Sequence, residues 1–205
     1  MSFLKGTVTL TRYRLLEIPA EATDEFFSER LKLNSFVDIE NVPEESSLGW
    51  VEILNPLATS FEPPSFRFGG FWGFQIRLDR RRLSAKILNR YCLIEEAKIL
   101  AETGQALKAK AKKHLREDLR GQLLPKVLLD TDLFEVLWFK KENEIWIAGA
   151  GEKKRLIFEE LFDRTFGLRI RLIAPISLAF ELIPKELGSA LLKSQPSSFM
   201  IGEDG

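Results

Sequence analysis

The sequence has very little of the two residue types that most often build disulfides, metal centres and nucleophilic active sites. It contains one cysteine, Cys92, and one histidine, His114, among 205 residues. A single cysteine forms no intrachain disulfide, which suits a reducing compartment, and we expect it to be a small buried hydrophobic side chain. Zinc sites need several Cys or His ligands, and His114 lies inside a run of basic residues. We therefore predict no cofactor and no catalytic triad.

Long apolar segments are also missing. No hydrophobic run approaches the ~20 residues that span a bilayer, and the first 17 residues are interrupted by charge, unlike a signal peptide. The composition, 45% hydrophobic and 29% charged, is that of an ordinary globular protein. We expect a cytoplasmic protein of one large or two small domains.

Positive charge is concentrated in one part of a neutral chain. The 30 basic and 30 acidic residues cancel overall. Residues 1–76 have 6 basic and 11 acidic residues, residues 77–126 have 14 and 6, and residues 127–205 have 10 and 13. Such asymmetry favours a polyanionic partner, although an exposed helical pair without any partner would show the same pattern.

Two helices are predicted inside this basic segment. Residues 83–103 have an apolar helical face, Gly104 interrupts the pattern, and residues 106–124 form a second helix that Pro125 ends. The second helix has a continuous i, i+4 basic row beside an apolar row: Lys108, Lys112, Arg116 and Arg120, next to Leu107, Ala111, Leu115, Leu119 and Leu123.

The two rows predict that one side of the helix docks on the protein while its neighbour faces an anion. Like charges at i, i+4 destabilise an isolated helix slightly, so the basic row favours an anionic partner. A helix of this length spans ~28 Å, enough to reach several phosphates of duplex DNA. We expect sequence-independent, salt-sensitive binding. The predicted DNA contacts are Lys108, Lys110, Lys112, Lys113, Arg116, Arg120 and Lys126, with Arg81, Arg82, Lys86 and Arg90 from a second cluster that also includes Arg77 and Arg80.

The rest of the chain predicts an α+β fold with mixed or antiparallel sheets around this long basic helical pair. We divide the sequence into residues 1–82, 83–126 and 127–205, which together could form one continuous unit. Strands are predicted at 5–17, 48–54, 66–78, 132–141 and 144–150 and on both sides of Pro175, and helices at 19–31, 152–167 and from Lys185, followed by a mobile tail.

Three further patterns bear on chemistry. The aromatics Phe66, Phe68, Phe71, Trp72 and Phe74 could stack nucleic-acid bases, but a core strand is the favoured interpretation. The segment 147–155 lacks the spacing and the Lys-Ser/Thr pair of a phosphate-binding loop, so we predict a tight turn between a strand and a helix. A metal-dependent nuclease is an alternative function, and its ligands would be Asp130, Asp132 and Glu135.

Several segments resemble the RdgC family of recombination-associated DNA-binding proteins. The segment 102–126 is similar to the family's basic helix, which ends in Leu-Leu-Pro-Arg, with Lys126 at the position of the arginine. "LGWVE" resembles the family's Gly-Trp-Val element, and 137–167 resembles its strand-turn-strand followed by a helix. "SSFMIGEDG" resembles the family's Gly-Phe-x-Leu-Gly-Asp-Glu segment.

The resemblance implies a nucleoid-associated homodimer that encircles duplex DNA without sequence preference and restrains a recombinase. Val127 and Leu128 replace an Ala-Phe pair that the family places near subunit contacts. Family members continue beyond the end of this chain, so we expect either a naturally short member or an incomplete one, without the part that helps to close the ring. We expect no enzymatic activity. A protein-interaction module with an acidic partner is a further alternative.

Overall fold

One antiparallel sheet organises the chain. The computed structural model describes residues 3, 7–17, 23–149 and 151–194. The spatial order of the strands is β2-β4-β5-β6-β1-β7, with β3 added to β4, and every pair of these described strands is antiparallel. The predicted α+β class is therefore confirmed. The strands are β1 (Leu10–Leu15), β2 (Ser46–Glu52), β3 (Arg67–Phe68), β4 (Phe71–Arg81), β5 (Leu129–Phe139), β6 (Glu144–Ala148) and β7 (Ile170–Leu172).

Helices cover one face of this sheet and project from one of its ends. Helices α1 and α5 contact each other and pack on the sheet, whereas α3 and α4 contact each other. The helices are α1 (Asp24–Leu33), α2 (Pro63–Phe66), α3 (Ala85–Thr103), α4 (Ala109–Leu123), α5 (Glu152–Phe166), α6 (Pro175–Leu182) and α7 (Gly188–Lys193), with 3-10 turns at Leu124–Lys126 and Lys185–Leu187.

The main core lies between the sheet and helices α1 and α5. Alternate residues of a strand point to the same side, and in β4 this alternation buries Trp72, Phe74 and Ile76. Their cross-strand partners on β5 extend the same apolar layer, and α5 contributes four buried aromatic or leucine side chains. The members from the two helices are Phe27, Leu31, Phe158, Leu161, Phe162 and Phe166.

Most of the predicted helix ends are confirmed by the geometry of the capping residues. Gly104 ends α3 and Gly167 ends α5, each in the left-handed region, with φ of 66° and 62°. Glycine adopts this conformation without the steric cost that a Cβ brings. Helix α4 ends two residues before Pro125, which lies in the following 3-10 turn.

One predicted strand is wrong. The sequence pattern places a strand on each side of Pro175, but only β7 precedes it, and the segment after it is the helix α6. The proline occupies the first helical turn, where its fixed φ suits a helix, and Ser177 accepts a hydrogen bond from the Ala174 N–H. The apolar residues 176, 179, 180 and 183 also follow helical spacing, and this spacing is the signal that identifies the helix.

Parts of several other predictions lie outside the described residues, including residue 150, the last of the strand predicted at 144–150. The first strand is seen as β1, and residues 4–6 of its predicted range are not described. Helix α1 begins at Asp24 behind the N-cap Thr23, and residues 18–22 are likewise not described. The predicted mobile tail lies outside the description from residue 195 onward.

Helices α3 and α4 form an insertion between two paired strands, which we call the helical arm. Strand β4 enters it and β5 leaves it, and these strands pair along their whole length, from Phe71 with Phe139 to Arg81 with Leu129. The arm has a small core of its own around Leu88. Segments 1–82 and 127–205 both contribute strands to the same sheet.

We expect the substitution Gly49→Ala to destabilise the fold by at least about 2 kcal/mol, because overpacking against backbone cannot be relieved by a rotamer change. A Cβ on this glycine of β2 would lie 2.4 Å from the Phe36 backbone nitrogen. Urea unfolding followed by circular dichroism measures the loss. Gly70→Ala is the matched control, since a Cβ on Gly70 would meet no other atom within 4 Å; equal stability of the two variants would contradict the prediction.

Candidate nucleic-acid interface

Helix α4 lies on α3 through its leucine row. Leu119 is buried, with 7% of its surface exposed, and it belongs to the small core that includes Leu88 and Cys92. Leu115 and Leu123 are partly buried against the same cluster. The predicted docking of the row is thus confirmed for Leu115, Leu119 and Leu123, whereas Ala111 is exposed and Leu107 does not belong to the cluster. The prediction that Cys92 is a buried hydrophobic residue is also confirmed.

Three members of the basic row have partners on neighbouring elements. The Lys112 Nζ lies 2.5 Å from a carboxylate oxygen of Glu96 on α3. The Arg116 guanidinium donates to the side-chain oxygen of Asn89. A guanidinium nitrogen of Arg120 lies 2.6 Å from a carboxylate oxygen of Glu45, which precedes β2.

These contacts hold the row along the flank of α4 that faces α3 and the root of the arm, by which we mean the end of β4 and the start of β5 around Arg81 and Leu129. Both side chains of the Arg120–Glu45 pair are about half exposed. Ion pairs this exposed contribute little, typically below ~1 kcal/mol. A phosphate group could therefore replace the carboxylate at small cost.

Other predicted contacts have exposed side chains without a partner. Within the described part of the chain, no ion pair or side-chain hydrogen bond is formed by the side chains of Lys108, Lys110, Lys126, Lys86 or Arg90. These residues belong to α3, α4 and their immediate flanks. The last predicted contact on α4 is Lys113. Its Nζ lies 3.9 Å from a carboxylate oxygen of Glu117 one turn along the helix, which is a long distance for an ion pair. The arm thus combines paired and unpaired cations.

The second predicted cluster is divided by the alternation of β4. Arg81 is only 6% exposed, and its two terminal nitrogens donate to four backbone carbonyls of the segment 39–44. Arg77 is paired with the fully buried Asp79. Because the Arg81 guanidinium is committed to the protein's own backbone, we do not include Arg81 in the candidate interface.

The two other arginines of this cluster pair with the start of β5. Arg80 contacts Asp132, and Arg82 lies 3.3 Å from Asp130. Arg82 is 63% exposed, which leaves part of its guanidinium accessible to a ligand. Arg82 therefore stays a candidate contact at the root of the arm.

The three carboxylates considered for a metal-dependent nuclease are not brought together. Asp132 pairs in register with Leu78, whereas Glu135 pairs with Gln75, so the two carboxylates point to opposite faces of the sheet. Glu135 is buried and accepts a hydrogen bond from the Phe3 N–H. Among the residues that the structure describes, no group of three or more His, Cys, Asp or Glu could hold a metal ion.

The connection between β6 and α5 is short, as predicted. Only residues 149–151 lie between them, and Gly149 has a φ of 117°, a conformation that L residues rarely adopt. The Gly149 N–H donates to the Thr9 carbonyl, and the Thr11 hydroxyl donates to the Gly149 carbonyl. These contacts hold Gly149 against the start of β1 at the end of β6.

The aromatic stretch from Phe66 to Phe74 is divided between the two faces of the sheet. Phe66, Trp72 and Phe74 are buried in the main core, as the favoured interpretation predicts. Phe68 and Phe71 are half-buried on the opposite face, where they contact each other. The sequence could not show this division, because the turn at residues 69 and 70 sets which residues share a side.

None of the helices within the described ranges combines the length and the apolar character that a membrane-spanning helix requires.

The fold and the arm define an α+β protein in which one antiparallel sheet supports a helical projection rich in lysine and arginine. A family model described as "Putative exonuclease, RdgC" matches residues 9–200. The chain belongs to the RdgC family, the recombination-associated family that its motifs resemble. No curated protein gives a significant match to the sequence.

We expect Arg81→Met to lower the free energy of unfolding by about 3 kcal/mol, because it leaves carbonyls that the guanidinium now satisfies without a donor. Arg82→Met is the matched control, and its exposed side chain should change stability by less than ~0.5 kcal/mol. Urea denaturation of both variants measures the difference. Equal losses of unfolding free energy in the two variants would contradict the structural role that we assign to Arg81.

Proposed function

We propose that the chain binds duplex DNA without sequence preference through the helical arm, as a homodimer, and limits the access of recombination enzymes to the DNA. The observation that carries this proposal is the exposure of unpaired lysines on the arm, led by Lys108 and Lys110. Membership of a recombination-associated family supports it.

The proposed interface consists of the exposed basic side chains of the arm and its root. Lysine and arginine rows neutralise phosphates and release counterions, and they do not read base edges. The proposal therefore includes both the unpaired and the weakly paired cations. They are Lys108, Lys110, Lys112, Lys113, Arg116, Arg120, Lys126, Arg82, Lys86 and Arg90.

The paired and unpaired cations should contribute unequally. Lys112 must exchange Glu96 for a phosphate, and Arg120 must exchange Glu45, so part of each gain is offset by the lost intramolecular contact. Lys108 and Lys110 lose no such contact on binding. We therefore expect the unpaired lysines to have the larger effect on affinity.

One feature of the arm and one exposed residue just after it support self-association. Helix α3 presents Ile87, Tyr91 and Ile94 at i, i+4 and i+7, and their exposed fractions are 49%, 41% and 40%. A stripe with this spacing is typical of a helix that packs on another helix. Leu128, at the position that the family resemblance associates with subunit contacts, is 91% exposed. A second copy of the chain would cover these residues and place two basic arms near each other.

The proposed role requires binding alone and no cleavage of DNA. Protein that occupies the duplex through many phosphate contacts competes with any enzyme that needs the same backbone. Such competition depends on salt and on protein concentration, because the binding energy comes largely from released counterions.

We expect Lys108→Ala with Lys110→Ala to weaken binding to all duplex sequences alike and to lower the slope of log affinity against log salt by about 2, close to one unit per lost phosphate contact. Fluorescence anisotropy with two labelled duplexes of unrelated sequence, across a salt series, measures both effects.

The matched control replaces two exposed lysines outside the arm, Lys185→Ala with Lys193→Ala, and should leave the slope unchanged. A duplex affinity of the wild type that does not depend on salt, or an equal effect of the two double variants, would contradict the arm as the interface.

We expect Ile94→Glu to weaken the homodimer by at least about tenfold, because dimerisation would bury an unpaired carboxylate. Sedimentation velocity over a range of protein concentrations gives the dissociation constant. Leu156→Glu, at an exposed position of α5 away from the arm, is the control. A wild-type chain that is monomeric at every concentration would show that the stripe has another role.

A further inference from the structure

Four half-buried aromatic side chains form a continuous row across four strands of the sheet. We call this group the aromatic row; it consists of Phe68, Phe71, Phe139 and Trp146. Neighbouring ring centroids are 5.7 Å apart for the first pair, 5.4 Å for the second and 4.7 Å for the third. The row lies on the face opposite α1 and α5, which we call the open face. Phe3 contacts Glu135 on this face, and Glu181 of α6 contacts its arginines.

The position of the row follows from strand register. Phe71 pairs directly with Phe139, so both side chains lie on one side of the sheet, and Trp146 shares that side because it pairs with Leu137. Gly73 provides the space for Phe68, because a Cβ there would lie 3.1 Å from the Phe68 ring. The rings are therefore positioned by backbone pairing and by one glycine.

Arginine side chains continue the row on β1 and β7. The Arg12 guanidinium lies 5.5 Å from the centre of the Trp146 ring and is held by Glu144. Arg14 contacts both Glu144 and Glu181, and Arg171 also contacts Glu181. Three arginines thus face two carboxylates.

The charges next to these aromatic and arginine side chains are positive overall. The adjacent turn between β5 and β6 adds Lys141 against Glu142, both exposed. Lys140 of the same turn is not counted, because its Nζ lies 5.5 Å from the centre of the Trp72 ring, which belongs to the main core. The pKa of Glu144 lies below its usual value. Burial alone would raise this pKa, but the hydrogen bonds from Trp146 and Arg12 and the charge of Arg12 together lower it by more. Glu144 therefore stays ionised and keeps Arg12 beside the tryptophan.

We propose that the aromatic row is a second nucleic-acid site, which binds the unpaired bases of single-stranded DNA by stacking while the adjacent arginines and Lys141 contact its phosphates. It deepens the proposed DNA-binding function, on which it rests for the identity of the ligand as DNA. It adds a surface distinct from the helical arm and a different form of the ligand.

The chemistry of the row favours a single strand over a duplex. In a duplex the faces of the bases are covered by their neighbours, whereas unpaired bases can stack on aromatic side chains. The open face of an antiparallel sheet can bind two or three bases in this way. Arginines beside the rings supply the electrostatic attraction that tracks the backbone of a single strand.

Tryptophan fluorescence tests the proposal directly. Trp50, Trp72 and Trp138 are buried and Trp146 is the half-exposed tryptophan, so an oligothymidylate of about 12 nucleotides should quench the emission of Trp146 selectively. Trp146→Phe should abolish the quenching but keep the affinity, measured by anisotropy, within about twofold, because a stacking ring is retained.

Removal of the ring should weaken binding. We expect Trp146→Leu and Phe139→Leu each to reduce affinity for the oligothymidylate by at least about fivefold, the lower range for losing one base-stacking side chain. If either variant fails to fold, as judged by circular dichroism, Phe71→Leu replaces it. Phe26→Leu is the matched control, because Phe26 is also half-buried with an arginine over its ring, but on the covered face.

Two outcomes would overturn the proposal. The first outcome combines two observations: the oligonucleotide does not change the fluorescence of the wild type, and the leucine variants bind it as tightly as the wild type does. The other is a shift of Trp146→Leu from dimer to monomer in sedimentation without any loss of single-strand affinity, which would make the row a contact between two copies.

Parallel titrations keep this proposal separate from the proposed function of the arm. Loss of duplex binding in the Lys108 and Lys110 double variant, with single-strand quenching retained, would support two independent sites. Quenching that persists while wild-type protein binds no duplex would leave the aromatic row supported and reject the arm. Absence of quenching with normal duplex binding would reject the aromatic row alone.

Discussion

The pairing of β4 with β5 is the constraint on which the rest of the structure depends. The two strands are adjacent in the sheet over 11 register pairs, although the whole helical arm separates them in the chain. Closing such an excursion costs conformational entropy, but this cost grows only slowly with its length. The pairing also determines which side chains of β4 face the core, because a register shift by one residue would move Trp72, Phe74 and Ile76 to the opposite face of the sheet. The arm's root, the core and the aromatic row all follow from one register.

Sequence patterns are sufficient where a single local signal determines structure. The glycines at 104 and 167 and the leucine spacing of α4 predict the helices and the docked side of the arm, because helical period and capping are local properties. They fail where neighbours come from distant strands. Phe71 contacts Phe139, which contacts Trp146, and no feature of any one segment shows that these three side chains meet. The prediction of a strand at α6 is wrong for a different reason, since its apolar run also fits a helical spacing.

Counting arginines is the least reliable guide to the interface. Arg81 and Arg82 are adjacent in sequence, yet one is buried under four carbonyl contacts and the other is exposed. The face of the sheet toward which each arginine points depends on the start and the end of β4. The sequence does not show where this strand starts, because three glycines lie between residues 69 and 73.

The basic row of α4 needs a similar correction. Its like-charge repulsion favours an anionic ligand, but Glu96 and Glu45 from other elements already offset part of it. The unpaired lysines therefore carry more of the argument than the row does.

The aromatic row and the root of the arm lie at opposite ends of the same strand. Phe71 begins β4 in the aromatic row and Arg81 ends it at the root, a separation of ~33 Å at about 3.3 Å per residue. Lys108 and Lys110 lie farther still, at the start of α4. The two surfaces are therefore separated by at least about ten base pairs of duplex at ~3.4 Å per step. One DNA segment can engage both surfaces only if it changes from paired to unpaired along this distance. Uniform duplex would meet the arm alone, and a continuous single strand would meet the rings and whichever lysines it reaches. If both surfaces act together, the DNA that should bind most tightly is a junction between duplex and single strand. Its paired half would meet the lysines and arginines of the arm, which neutralise phosphates, and its unpaired half would meet the aromatic row, on which bases stack.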